Sequence, residues 1–281
     1  MATPISLAFS PCPNDTFIFD ALVHNKIDTE GLQFSYHIED VETLNKAAFN
    51  QQYDVSKLSF HAFYHVIKNY ICLTSGGALC DNFGPVLIGR KFYEKHEIEK
   101  SSVAVPGLYT TAALIFNHFF KAKSLIPFLF SDIEQTVLDG KTDLGVIIHE
   151  NVFTFAEKGL IEVANLGRLW ESNYHKPIPL GCIAVKRSLP LNIQRKINNL
   201  LKKSIIFAFE NPTSSKEFVK QNATNTSEAI IKKHIDTYVN KYSIDLTNEA
   251  KNVILFLYED MVKKGFISSS KGAVFIESDK T

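Results

Sequence analysis

Ile5-Ser6-Leu7-Ala8-Phe9 is a short apolar run that stops at Ser10-Pro11-Cys12-Pro13-Asn14-Asp15. Residues 16–26 follow, with Phe17, Asp20, Ala21 and His24 at helical intervals. The two prolines hold a helix back until Asn14 or Asp15 can cap it. Gly31 ends that pattern, and residues 32–38 alternate as a strand does. The chain therefore opens strand, loop, helix, strand.

The same grammar continues outward. Residues 40–50 form a helix with Val41, Leu44 and Ala48 on one face, residues 53–58 a strand, and Ser59 the cap of a helix over 60–70. Strands at 71–74 and 85–89 flank a Gly76-Gly77 turn. A second unit starts near 101: strand 102–105, a Pro106-Gly107 turn, Thr110 or Thr111 capping helix 112–121, and a short strand at 128–130. Ser131-x-x-Glu134 reads as a capping box for a helix closed by Gly140, and residues 143–149 as the next strand. Asp54-Val55 and Asp143-Leu144 each open a strand after a helix and a short turn, which predicts two similar α/β lobes. Beyond 191 the pattern is helical, at about 193–209, 214–221, 226–241 and 247–264. Strands alternating with helices imply parallel sheets, and ligands bind at the carboxyl ends of strands in such sheets.

Composition narrows the function. The 281 residues carry 30 Lys+Arg and 30 Asp+Glu, so no basic excess serves a nucleic-acid backbone. No apolar run approaches the roughly 18–20 residues of a membrane span; the greasiest stretch, 112–120, is broken by Asn117 and His118. The N-terminus lacks a basic segment followed by an apolar one, and the cysteines at 12, 72, 80 and 182 form no CxxC pair. These features predict a cytoplasmic protein with free thiols.

The strand ends then become the candidate site. Lys57 places a positive charge beside Ser59, and Ser59, Thr110 and Thr111 stand where helices begin, where unpaired N–H groups attract carboxylates and hydroxyls. The alternative, that these hydroxyls only cap their helices, stays open. His149 ends the apolar run 144–148 and is the side chain most easily poised as a base near neutral pH; a packing histidine is the alternative. His61 and His65 are spaced to share a metal, but no third ligand accompanies them and the aromatic residues between them favour packing. Trp170-Glu171 is read as a loop and 177–181 as the entry to a strand.

Several of these blocks occur together in one family. Ser10-Pro-Cys-Pro-Asn-Asp-Thr-Phe-Ile-Phe-Asp-Ala-Leu-Val-His24 closely resembles the N-terminal signature of the 1,4-dihydroxy-6-naphthoate synthases of the futalosine route to menaquinone. The resemblance continues through Glu39–Asn45, Lys57-Leu58-Ser59, Ser75–Leu79, Gly84-Pro85, Val105-Pro106-Gly107, Thr110-Thr111, Gly145–Glu150 and Pro177–Gly181, and covers roughly 5–187. Cys80 departs from it, standing where family members often have glycine. The resemblance implies a two-lobed periplasmic-binding-protein-like (type II) α/β fold with the ligand cleft between lobes. Lobe 1 is expected at 1–88 plus 187–281 and lobe 2 at 89–186. It implies conversion of cyclic dehypoxanthinyl futalosine to 1,4-dihydroxy-6-naphthoate, with His149 as proton acceptor and Lys57, Leu58, Ser59, Thr110 and Thr111 binding substrate. It implies no metal and no cofactor. Two rivals share the fold: a chorismate dehydratase of the same route, and a solute-binding protein without chemistry. A regulator's effector domain is a third, against which stands the lack of a helix-turn-helix segment before the first strand.

Overall fold

The computed structural model describes residues 4–225, 227–270 and 272–277. The first three residues, which belong to the N-terminal segment read above, and Thr226, the expected start of a C-terminal helix, lie outside the described residues. The chain divides into two compact units, Met1–Leu79 with Gly181–Thr281, and Cys80–Leu180.

The first unit begins β1 (Ile5–Phe9), α1 (Pro13–Val23), β2 (Phe34–Ile38), α2 (Val41–Phe49), β3 (Val55–Ser59), α3 (Phe60–Val66), β4 (Tyr70–Cys72) and β5 (Ala78–Cys80). Helix α1 starts earlier than the prolines suggested. Pro13 is its first residue, where the missing N–H costs nothing and the fixed φ suits a helix. Helix α2 is capped by Asp40, whose carboxylate accepts from the Glu42 and Thr43 amides.

The second unit holds β6 (Val86–Gly89), α4 (Lys95–Ile98), β7 (Ser102–Val105), α5 (Thr111–Phe119), β8 (Ser124–Pro127), α6 (Ile133–Leu138), β9 (Leu144–Ile147), β10 (Ile161–Asn165) and α7 (Leu166–Tyr174). The expected strand at 128–130 is displaced. Strand β8 ends at Pro127, tolerable because β8 is an edge strand, and Phe130 opens a 3-10 turn. Trp170 is not in a loop: it is buried in α7 with Nε1 donating to the Pro177 carbonyl at 3.2 Å.

The long strand β11 (Ile178–Lys186) leads into the helical tail, α8 (Leu191–Glu210), α9 (Lys216–Asn222), α10 (Glu228–Tyr238), α11 (Lys241–Ile244) and α12 (Asn248–Lys263). Strands β6 and β11 correct the expectation of parallel sheets. The first sheet runs β2-β1-β3-β11-β4, with β5 also on β11, and β11 is antiparallel to β3 and β4. The second runs β10-β6-β9-β7-β8, and β6 is antiparallel to β9 and β10. Strand β1 with β2 and β3, and β7 with β8 and β9, are parallel. Each sheet thus takes in one reversed strand that no helical crossover precedes in its own unit, so nothing forces it to run parallel.

The two sheets repeat one order, β2-β1-β3-β11 in one and β8-β7-β9-β6 in the other. A shared polar clasp marks the repeat. Asp54 Oδ2 accepts from the Ser6 amide (3.0 Å) and hydroxyl (2.8 Å), and Asp143 Oδ2 accepts likewise from Ser102 (2.8 Å for both). Burial pushes the Asp54 carboxyl up, but the Ser6 hydrogen bonds and Lys186 outweigh it and hold it below its ordinary value. The Ser102 amide and hydroxyl lower Asp143. Apolar packing supports each sheet separately. Phe9, Phe17, Leu22, Val55, Ile183, Leu201 and Ile205 join α1, β11 and α8 in the first core, and Val86, Ile88, Ala104, Ile133 and Ile147 form the second.

Candidate active site

In the first unit the candidate residues stand at the end of β3. Lys57, Leu58 and Ser59 pair with Ile183, Cys182 and Gly181 of β11. A Cβ at Gly181 would stand 2.9 Å from the Leu58 carbonyl oxygen and 3.2 Å from Lys57 Cε, so the absent side chain is what lets the lysine lie across the strand. Lys57 is 7% exposed and its Nζ donates to Asp15 Oδ1. Its charge is therefore not simply offered beside Ser59, as the sequence suggested; a buried carboxylate compensates it. Asp15 is fully buried and also accepts from the Ser10 amide (3.2 Å), the Ser10 hydroxyl (2.7 Å) and Asn14 Nδ2 (2.8 Å). Buried charges persist when paired and hydrogen-bonded in this way.

Leu58 is fully buried, with its side chain in the interior. Ser59 occupies the cap position of α3 but makes no side-chain cap; its Oγ accepts from Asn45 Nδ2 at 3.2 Å and its amide donates to Asn45 Oδ1 at 3.0 Å. Asn45 Nδ2 also donates to Glu42 Oε2 at 3.3 Å. Asp15, Asn45 and Glu42 thus join the candidate residues through Lys57 and Ser59, and reading strand ends alone did not find them. Their signal was present, since all three fall inside the family-like stretches 10–24 and 39–45.

In the second unit Thr110 and Thr111 divide their roles. Thr110 is the cap of α5: its Oγ1 accepts from the Ala113 amide at 3.3 Å and donates to the Gly107 carbonyl at 2.7 Å. Thr111 Oγ1 donates to the Leu180 carbonyl at 2.6 Å. Both are buried.

His149 lies beyond β9. Ile148 is extended (φ −136°, ψ −179°), and His149 turns to φ +57° and starts a 3-10 turn over His149–Phe153. A left-handed conformation at a side chain larger than glycine's costs energy and is often found at functional positions. The imidazole is only half-buried and meets the Phe130 ring edge-to-face, centroids 5.0 Å apart at 73°. Its Nε2 is shielded from solvent. The Ser131-x-x-Glu134 capping box does not form: α6 has no side-chain cap, and Glu134 turns inward to accept from Asn151 Nδ2 (2.5 Å) and Lys158 Nζ (2.7 Å). The carboxylate ties the 149–158 segment to α6 instead of serving an exposed helix start.

Two cavities of about 500 Å³ lie in the first unit, one bordered by Phe17, Phe209, Val219 and Ile235, the other by Ile206, Val239 and Ile244. Neither is lined by a candidate residue. Among the described residues no helix is long and apolar enough to cross a membrane, and all four cysteines are buried free thiols.

The 1,4-dihydroxy-6-naphthoate synthase of Thermus thermophilus is 34% identical over 272 residues, covering 97% of this chain and 99% of the relative. The Streptomyces coelicolor protein of the same name is 31% identical over 273 residues, covering 95% of each. A crystal structure of an Archaeoglobus fulgidus protein superposes with TM-score 0.89 at 33% identity, covering 94% of this chain and 98% of the other. The periplasmic aliphatic sulphonate binding protein of Escherichia coli superposes at 0.65 with 7% identity, covering 100% and 96%, and shows the shared two-lobed periplasmic-binding-protein fold. A family model described as menaquinone biosynthesis matches residues 5–263. With that match and full-length relatives above 30% identity, the chain belongs to the menaquinone-biosynthesis family.

Proposed function

We propose that this protein is a 1,4-dihydroxy-6-naphthoate synthase, a lyase acting on cyclic dehypoxanthinyl futalosine, with His149 as the base. Relatives of that name along nearly the whole chain support the activity. The observation that carries the residue assignment is the half-buried imidazole on a left-handed backbone, just beyond an apolar strand. Lys57, Leu58, Ser59, Thr110 and Thr111 bind the substrate in this reading. Lys57 and Ser59 bring a compensated ammonium and a hydroxyl suited to carboxylate and sugar oxygens. The Thr110 hydroxyl is committed to its cap, so this residue contributes by shaping the start of α5.

The chemistry follows from the substrate. Removal of a proton beside its carbonyl, or from a sugar hydroxyl, starts an elimination or retro-aldol cleavage, and formation of the naphthalene drives it forward. The base accepts that proton, and hydrogen-bond donors steady the oxyanion that develops. One positioned base contributes about 10²–10⁴-fold. Four reduced, buried thiols fit a cytoplasmic setting. A solute-binding role has only the fold in its favour, and fold does not fix function.

The test is product formation from the cyclic substrate, followed by mass spectrometry without added cofactor, in the wild type and in His149→Asn. Asparagine tolerates the left-handed backbone better than alanine, so the variant isolates the imidazole. Turnover should fall by at least about a hundredfold with the fold intact. Near-wild-type turnover removes His149 as the base, and release of a different product removes the activity.

A further inference from the structure

The helical tail sends one polar side chain toward the candidate site. His234 on α10 is fully buried, its Nε2 2.9 Å from Asn14 Oδ1, and its ring lies against Tyr238 with centroids 4.6 Å apart. Asn14 Nδ2 donates to Asp15 Oδ1 at 2.8 Å, and Lys57 donates to the same oxygen. Four side chains from α10, α1 and β3 thus form one line of hydrogen bonds, and all four are buried.

The donors and acceptors leave one arrangement. A carboxylate only accepts, so Asn14 must turn its NH₂ toward Asp15. Its carbonyl then faces His234, and the imidazole must donate from Nε2. Without that donor the amide can rotate about its last torsion and withdraw its NH₂ from Asp15. The carboxylate would then be held by Ser10 and Lys57, and the ammonium would follow it.

We propose that His234 and Asn14 are positioning residues for Lys57: the imidazole orients the amide, the amide fixes the carboxylate, and the carboxylate sets where the ammonium stands. The inference rests on the reading of Lys57 as a substrate-binding residue. It gives the C-terminal helices, which carry no motif of their own, a role in substrate affinity.

The experiment measures KM and kcat with the cyclic substrate for His234→Leu, His234→Gln, Asn14→Ala, the His234→Leu/Asn14→Ala double variant and Lys57→Ala, with melting curves for each. His234→Leu should raise KM about three- to tenfold, the worth of one buried hydrogen bond, while kcat of the folded enzyme stays within about twofold. Glutamine presents an amide N–H near the place of Nε2 and should bring KM back to within about twofold of wild type. Asn14→Ala should match His234→Leu, and the double variant should be no worse than the worse single, since one line cannot be cut twice. A role confined to packing predicts the opposite: a lower melting temperature with KM unchanged, no rescue by glutamine, and additive losses. Any of these three overturns the relay. Should the leucine variant not fold, Asn14→Ala and His234→Gln carry the comparison. If Lys57→Ala raises KM and the His234 and Asn14 variants do not, the relay alone fails. An unchanged KM in Lys57→Ala instead fails the assignment of Lys57 on which it rests.

Discussion

Val55–Ser59 and Leu144–Ile147 hold the same place in two sheets of like order, and each is preceded by an aspartate clasped to a serine on the neighbouring strand. They end differently. Strand β3 is buried at every residue and passes at extended φ −65° straight into α3. Strand β9 passes through one extended residue into the left-handed His149 and a 3-10 turn. The first ending holds a charge inside a buried polar network. The second turns a half-buried imidazole onto a left-handed backbone at the cost of strain. Matched strands of one scaffold therefore end in two different side-chain environments.

Experiments can break this contrast or sharpen it. The hundredfold loss expected for His149→Asn should have no parallel at the matching strand end: Ser59→Ala should alter kcat by less than about threefold and act mainly on KM. Comparable losses in kcat at both positions would erase the distinction. Next in size is the buried ion pair. Asp15→Ala leaves an ammonium without its counter-charge and should lower unfolding free energy by about 3–5 kcal/mol, read from urea melts. A loss below about 1 kcal/mol would mean that Lys57 finds water or another partner.

Gly181→Ala should cost about 1–3 kcal/mol because its methyl meets the Leu58 carbonyl and Lys57 Cε, and it should raise KM as the lysine is displaced. The two clasps should respond to acid alike. Both aspartates have folded pKa values below their unfolded ones, so their contribution is present above the unfolded value near pH 3.9 and is lost as pH falls through the folded value. Ser6→Ala and Ser102→Ala should each cost about 1 kcal/mol at pH 6, and that difference from wild type should shrink by pH 3. A gap that persists at pH 3 would point to packing. Thr110→Ala removes a cap and should cost about 1 kcal/mol, with KM raised as the start of α5 loosens; an unchanged KM would take Thr110 out of the substrate site.

The elements that could be read directly were those with a strong period and a stop signal. The opening strand, its helix and the Asp40-capped helix announce themselves because alternation, helical spacing and capping chemistry are local. Strands β6 and β11 read as strands, yet their reversed direction was invisible, because direction depends on partners far along the chain. Strand β10 and helix α7 were missed where Trp170-Glu171 looked like a loop; only burial of the indole against the second unit's interior shows the helix. At the site, His149 and Lys57 could be picked out by residue type at a strand end. The compensation of Lys57 by Asp15 spans 42 residues and has no local signature.

Taken alone, the order of residues established the alternating strands and helices, the near-duplication of two units and the blocks shared with one family. It could do so because each depends on neighbours a few positions apart or on matched words of sequence. Folding in three dimensions decided the direction in which β6 and β11 run, the fate of Glu134, the left-handed turn at His149 and the buried line from His234 to Lys57. Those outcomes depend on which groups meet once water is excluded. A buried donor or acceptor must then find its partner wherever the chain happens to bring one.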